Sequence, residues 1–240
     1  LPLQAWQSLN QGLLEAGCTI QEINVVRRQL DCVKGGGLAR LAAPARVISL
    51  ILSDVVGNEL AAIGSGPTAA TDETPADART ILERYNASDW LHTAVYQSVQ
   101  ATLNHVERTA VSPPSNIVAN IIIGSVRQSA QAAVKAANSL GFQSSLLTSH
   151  LEGEAREVGK VAAALAKDAP ANAAMVLGGE TTVTIQGRGV GGRNLETALA
   201  AAIGLTGWGN RAITSFSTDG DDGSTNKAGT TVTGSTDQDL

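Results

Sequence analysis

From residue 116 onward the chain alternates short apolar runs with segments of helical pattern, and that alternation leaves few folds open. Asn116–Ile123 reads as a strand, and Ser125 with Gln128 opens a helix that ends before Gly141. Phe142–Thr148 reads as the next strand, Ser149 with Glu152 as the next helix start, and Ala173–Leu177 as a third strand. A β-α-β-α-β order buries strands under crossover helices, so it predicts a parallel, doubly wound α/β sheet. A strand over Thr182–Gln186, a glycine loop, a helix from about Asn194 and a strand over Ala212–Phe216 extend the pattern.

The first half has a different rhythm. Leu3, Trp6, Leu9 and Leu13 recur at helical spacing, with Gly17 as the stop. Thr19 and Glu22 form a capping box for a helix that turns Ile23, Val26, Leu30 and Val33 inward and stops at Lys34-Gly35-Gly36-Gly37. Arg46–Leu52 reads as a buried strand, followed by a loop-like segment, Ser53–Thr68. Thr74-Pro75 with Asp77 starts a helix that runs to about Tyr85, and another covers Asp89–Val106. Ser112-Pro113-Pro114-Ser115 is the linker candidate. It divides the 240 residues into two expected domains, 1–112 and 113–240.

Composition excludes several function classes. A net charge of −5 with no basic stripe argues against nucleic acid or an anionic membrane as partner. Aromatic residues are 3%, too few for stacking platforms. No apolar run approaches the roughly 20 residues that span a bilayer. Cys18 and Cys32 cannot build a disulfide framework, and His92, His105 and His150 are scattered, so neither a secreted scaffold nor a zinc site is expected. The expected compartment is the reducing cytoplasm. No Ser/His/Asp or Cys/His arrangement of a hydrolase stands out.

Four motifs carry chemistry. Gly187, Gly189 and Gly192 spell GxGxxG between a strand and a helix, which in a dinucleotide reading seats pyrophosphate on the helix N-terminus. The next acid after Glu196 is Asp219, so no carboxylate about 20 residues on holds a ribose hydroxyl. Arg193 suits a more compact anion, and a tight strand-to-helix turn explains the glycines as well. Gly178-Gly179-Glu180-Thr181-Thr182 closes a strand at its carboxyl end, where open α/β sheets bind ligands; its alternative is a hairpin with a solvated Glu180. Asp219, Asp221 and Asp222 crowd around Gly220 and before Gly223, which suits Mg²⁺ shared with substrate phosphates or a hydrophilic surface turn. Ser53-Asp54 and Gly64-Ser65-Gly66-Pro67-Thr68 offer hydroxyls and N–H groups for an anion nest, to which Lys34 at its glycine turn adds a cation, or else a solvated helix end.

Together these segments resemble the glycerate 2-kinases of the MOFRL type. The resemblance rests on Asn24–Gly37 (NVVRRQLDCVKGGG), Ser53–Gly57 (SDVVG), Ser65–Thr68 (SGPT), Gly153–Glu157 (GEARE), Gly178–Val183 (GGETTV), Gly191–Asn194 (GGRN) with Glu196, and Thr218–Gly223 (TDGDDG), in that order. It implies two Rossmann-like three-layer α/β domains with mostly parallel sheets and an active site in the cleft between them. It also implies transfer of the γ-phosphoryl of ATP to the 2-hydroxyl of D-glycerate, with Mg²⁺. Carried onto this chain, Asp54 is the base on the hydroxyl or a helper in placing Mg²⁺, and Arg193 stabilises the transferring phosphoryl. Arg27 and Lys34 are the implied anion binders. Ser65, Thr68, Glu180, Asn194 and Glu196 are the implied cleft-lining positions, and Asp219 and Asp222 the metal ligands. Asn58 and Leu60 depart from a usual Asp and Pro, Leu195 from a Gln, and Asp221 and Ser224 from an apolar residue and a Pro. Family members are longer. The resemblance therefore implies that the front of the first domain, with an active-site lysine, and the end of the second lie outside Leu1–Leu240, and that this stretch alone turns over weakly or not at all. The rival expectations are an NAD(P)H-dependent hydroxypyruvate or tartronate-semialdehyde reductase and a non-catalytic anion-binding fragment.

Overall fold

In the computed structural model, which describes residues 1–105, 115–187 and 189–236, the helical spacing of the amino end forms α1 (Leu3–Glu15) and α2 (Ile20–Leu30). Thr19 caps α2 reciprocally: its hydroxyl accepts from the Glu22 N–H, and the Glu22 carboxylate accepts from the Thr19 N–H at 2.9 Å. The helix ends at Leu30, short of the glycine turn. The Asp31 carboxylate accepts the Val33 and Lys34 N–H groups, a side-chain turn that peels the chain away and leaves Val33 exposed rather than inward. Next come α3 (Gly37–Ala42), which sequence reading missed, and β1 (Val47–Ser53). Thr74 and Asp77 cap α4 (Pro75–Arg84). The single helix expected over Asp89–Val106 is two, α5 (Ala87–Trp90) and α6 (Thr93–His105), because the backbone turns extended at Leu91. Val106 and linker residues 112–114 lie outside the described residues.

Leu9, Leu13, Ile23, Val26, Leu82, Val99 and Leu103 close the core of these helices. Each contributes roughly 1.5–3 kcal/mol by leaving water. Strand β1 pairs with β2 (Ile117–Ser125) in a two-stranded sheet. Exposure alternates along β1, and Ile48, Leu50 and Leu52 face out, so it is not the buried strand its apolar run predicts: the described residues cover one face only.

After β2, Ser125 caps α7 (Val126–Ser139) by accepting from the Gln128 N–H. Then come β3 (Gln143–Glu154), α8 (Ala155–Asp168), β4 (Ala173–Thr182), α9 (Arg193–Leu205), β5 (Ala212–Phe216) and β6 (Gly229–Thr233). Strands β3 and β4 run parallel from Gln143↔Ala173 to Glu154↔Thr182, with α7 packed on both. The helix start expected at Ser149 does not form, because Leu151 and Glu152 pair with Gly179 and Glu180 and extend β3 to Glu154. Gly179 permits this approach: a Cβ there would run into the Leu151 backbone. Residues 183–186, expected as part of a strand, are loop.

The architecture is α/β, and its described strand pairs are not all parallel. Strands β5 and β6 are antiparallel, Ala212↔Thr233 to Phe216↔Gly229, and the described strands make three two-stranded sheets. Helix α9 covers this hairpin through Ala198, Ala201 and Ala202 against Val232 and Ile213. Helix α8 lies along α9 in parallel: Arg156 meets Glu196, Gly159 faces Thr197 and Ala200, and Ala163 faces Gly204. Contacts divide the chain into two compact units, Leu1–Ser53 with Asn58–Ile123 and Asp54–Gly57 with Gly124–Leu240. Among the described residues no helix is long and apolar enough to cross a membrane.

Candidate active site

The carboxyl end of β4 and the first turn of α9 bring two expected residues together. Arg193 Nη1 donates to Glu180 Oε1 at 2.5 Å, with both side chains more than a third exposed. The exposed Asp219 carboxylate accepts from the Ser217 hydroxyl at 2.5 Å and the Asp221 N–H at 3.2 Å. Those donors, Ser217 first, hold its pKa below the ordinary aspartate value, and the charge of Arg193 adds a smaller push in the same direction. Glu180, Arg193 and Asp219 therefore share one electrostatic neighbourhood.

Asp222 does something else. It is 1% exposed. Its Oδ1 accepts the Asn194 N–H at 2.9 Å and Asn194 Nδ2 at 3.2 Å, and its Oδ2 accepts the Leu195 N–H at 2.8 Å. The N-cap residue of α9, Gly192, has no side chain, so a carboxylate 28 residues beyond Asn194 caps the helix instead. Gly192 gives it room, since a Cβ there would collide with the Asp222 carboxyl carbon.

This arrangement bears on three expectations. Both oxygens of Asp222, expected as a metal ligand, accept hydrogen bonds from the first turn of α9. The amide of Asn194, expected as a cleft-lining position, donates to Asp222 and accepts from the Ser215 hydroxyl at 2.8 Å. The seat of the dinucleotide reading's pyrophosphate is filled by a protein carboxylate. Among the described residues no three His, Cys, Asp or Glu side chains gather as a metal cluster. An ion carried in on phosphates needs only one or two carboxylates. Asp219 suits that demand, since it is exposed and the Ser217 hydroxyl and the Asp221 N–H both end on its Oδ1.

Glu196 lies 3.6 Å from Arg156, which also meets Glu154 at 3.5 Å. The Glu154 carboxylate accepts the Thr184 N–H at 2.7 Å, the main cause of its lowered pKa, and so fastens the start of the glycine loop.

In the other unit the expected anion nest has used its donors internally. The Gly35 and Gly36 N–H groups donate to the Ser65 and Gly66 carbonyls, and Lys34 Nζ donates to the Gly64 carbonyl at 3.2 Å. Ser65 is buried and donates to Asn24 Oδ1 at 2.8 Å. Thr68 is buried, accepting from Ser49 and donating to Asn120. Arg27 ties α2 to α1 through Asn10 at 2.6 Å. These are fasteners of the fold, and Ser65 and Thr68 do not line an open surface. Sequence reading missed Arg28, which is buried, pairs with Glu73 and donates to the Ala61 carbonyl at 3.0 Å. Helical phase carries that signal: Asn24 and Arg28 are four apart and share the buried face, whereas Arg27 does not. Asp54 is exposed after β1, has no hydrogen bond or ion pair among the described residues, and groups by contact with the unit that holds Arg193.

Residues 1–100 match the family described as a domain of unknown function (DUF4147), and residues 173–240 match the MOFRL family. The chain is 40% identical to a D-glycerate 2-kinase of Thermotoga maritima, over 98% of this chain and 55% of that protein. It is 41% identical to an Agrobacterium vitis protein provisionally named a hydroxypyruvate reductase, over 94% of this chain and 59% of that one. A glycerate kinase of Macaca fascicularis is 34% identical, with 96% of this chain covering 69% of it. The crystal structure of a Thermotoga maritima glycerate kinase superposes with a TM-score of 0.84 at 38% identity, covering all of this chain and 57% of that one. The chain thus spans little more than half the length of most of these relatives.

Proposed function

Because the chain belongs to the MOFRL-type glycerate 2-kinase family, we propose that it serves the transfer of the γ-phosphoryl of ATP to the 2-hydroxyl of D-glycerate, giving 2-phosphoglycerate and ADP. The observation that carries this reading is Arg193, fixed on the first turn of α9, paired with Glu180 and acting on Asp219. A guanidinium fork so held binds phosphoryl oxygens bidentately and favours the charge that spreads over them in transfer. Asp54, exposed, takes the hydroxyl proton as that oxygen bonds to phosphorus and the bond to the ADP oxygen breaks. Asp219 is the carboxylate for Mg²⁺; bound there, the ion offsets phosphate charge. Both cysteines are free, which suits a reducing cytoplasm.

A reductase would bind a dinucleotide, and the Asp222 carboxylate stands where the pyrophosphate would sit at α9. The test is an enolase-coupled assay of the protein expressed from its complete coding sequence, since enolase consumes 2-phosphoglycerate directly. The expected result is product that depends on ATP, Mg²⁺ and D-glycerate. NAD(P)H oxidation by hydroxypyruvate without ATP, or no turnover at all, overturns the proposal.

A further inference from the structure

The glycine loop between β4 and α9 leads directly into Arg193, yet its glycines are not held by packing. A Cβ at Gly189 or Gly191 would meet no described atom within 4 Å. Such a loop needs fastening from outside. Among the described residues, no side chain other than Glu154 reaches into it with a hydrogen bond. Glu154 is the N-cap residue of α8, but its carboxylate makes no cap bond to that helix. It turns to the loop instead. Its Oε1 accepts the Thr184 N–H at 2.7 Å, and its Oε2 accepts the hydroxyls of Thr184 at 3.3 Å and Thr182 at 3.4 Å. Register explains the reach: Glu154 pairs with Thr182 at the end of the β3–β4 ladder, two residues before Thr184.

The far end of the loop is tied to the same carboxylate. Arg156 lies 3.5 Å from Glu154 and 3.6 Å from Glu196, on the first turn of α9. The Glu196 N–H donates in turn to the Gly192 carbonyl at 2.9 Å, where the loop ends. Glu154, Arg156 and Glu196 are 25%, 37% and 30% exposed, so water screens these pairs and they set geometry more than they add stability. We propose that Glu154 is a positioning residue for phosphoryl transfer. It fixes one end of the glycine loop through Thr184 and the other through Arg156 and Glu196, so that the loop delivers Arg193 in one orientation. This inference rests on the kinase reading and deepens it, by giving a task to a carboxylate that does not itself touch the reacting atoms. The leverage is geometric: a misplacement of about 1 Å at a reacting centre costs about 10²-fold in rate.

The experiment measures kcat, both KM values and Tm of the protein expressed from its complete coding sequence, in the enolase-coupled assay, with amide exchange at Thr184 alongside. Glu154→Ala should lower kcat about tenfold or more, with the KM for ATP and for D-glycerate within about twofold of wild type and Tm unchanged. The Thr184 amide should exchange about tenfold faster or more. Glu157→Ala, which breaks the exposed pair with Lys160 on α8, should leave kcat unchanged. Because Glu154 acts through Arg193, adding Glu154→Ala to Arg193→Lys should slow kcat by less than about twofold further. If Glu154→Ala does not fold, Arg156→Gln, which cuts the tie to Glu196, carries the same test. Wild-type kcat in the folded variant overturns the inference. So does a kcat loss that multiplies with that of Arg193→Lys, or one that comes with a fall in Tm, the mark of a merely structural role. Absence of glycerate phosphorylation by the wild type would sink the kinase reading and this role with it, and Thr184 exchange would still decide the tie. Wild-type turnover with unaltered Thr184 exchange in Glu154→Ala would sink the tie alone.

Discussion

Replacing Asp222 with Asn tests the cap on α9 with little change in volume. Two backbone N–H groups and one amide end on this buried carboxylate. An amide keeps one acceptor oxygen and turns an NH₂ toward a helix N–H. One charge-assisted bond then weakens by about 1 kcal/mol. The other becomes a donor facing a donor in the interior, at about 1–3 kcal/mol. The lost attraction to the helix's partial positive charge adds about 0.3–2 kcal/mol. The expected destabilisation is therefore roughly 2–6 kcal/mol, centred near 4. At a urea slope of about 2 kcal/mol/M, the midpoint should fall by roughly 2 M. Amide exchange at Asn194 and Leu195 should quicken by about 100-fold or more. Gly192→Ala should reproduce the pattern, because its Cβ would displace the same carboxylate. A midpoint shift below about 0.3 M, the size of an ordinary surface change, would refute the reasoning. So would a loss of stability seen only with Mg²⁺ present, which is the signature of a metal ligand.

Three further outcomes follow from the geometry. Arg193→Lys keeps the charge but loses the fork, so kcat in the enolase-coupled assay should fall by about 10²-fold or more with Tm unchanged; wild-type kcat would remove Arg193 from the chemistry. Asp219→Asn should raise the Mg²⁺ concentration that half-saturates turnover while Asp221→Ile does not, and the reverse order in a Mg²⁺ titration would reassign the ligand. Glu22 is held below the ordinary value of 4.5, first by the Thr19 N–H and next by the Tyr85 hydroxyl. Its contribution is complete above pH 4.5 and is lost as pH falls through the lower folded value. Glu22→Gln should thus lower Tm at pH 7 and leave it unchanged at about pH 2, and an equal loss at both would contradict this.

What could be read from the chain alone is what depends on neighbours a few positions apart. The boxes of Thr19 with Glu22 and Thr74 with Asp77, and the cap of Ser125 on Gln128, bond over three residues, so letters three apart suffice to predict them. The ordered motifs pointed to the family and to Arg193 as a cation at the start of a helix. Where a choice lay between local and distant partners, the sequence alone misled. Ser149 with Glu152 has the letters of a helix start, yet that stretch pairs with β4 and stays extended. Thr68 and Ser65 have the letters of an anion loop, yet Asn120 and Asn24, 52 and 41 residues away, take their hydroxyls. Asp219 and Asp222 read alike in TDGDDG, and tertiary structure gives them opposite fates: one carboxylate in water near Arg193, the other sealed against α9. The reason is physical. A carboxylate's chemistry depends on which donors surround it and how much water remains, and for Asp222 both are set by a helix whose first turn arrives from 28 residues earlier in the chain.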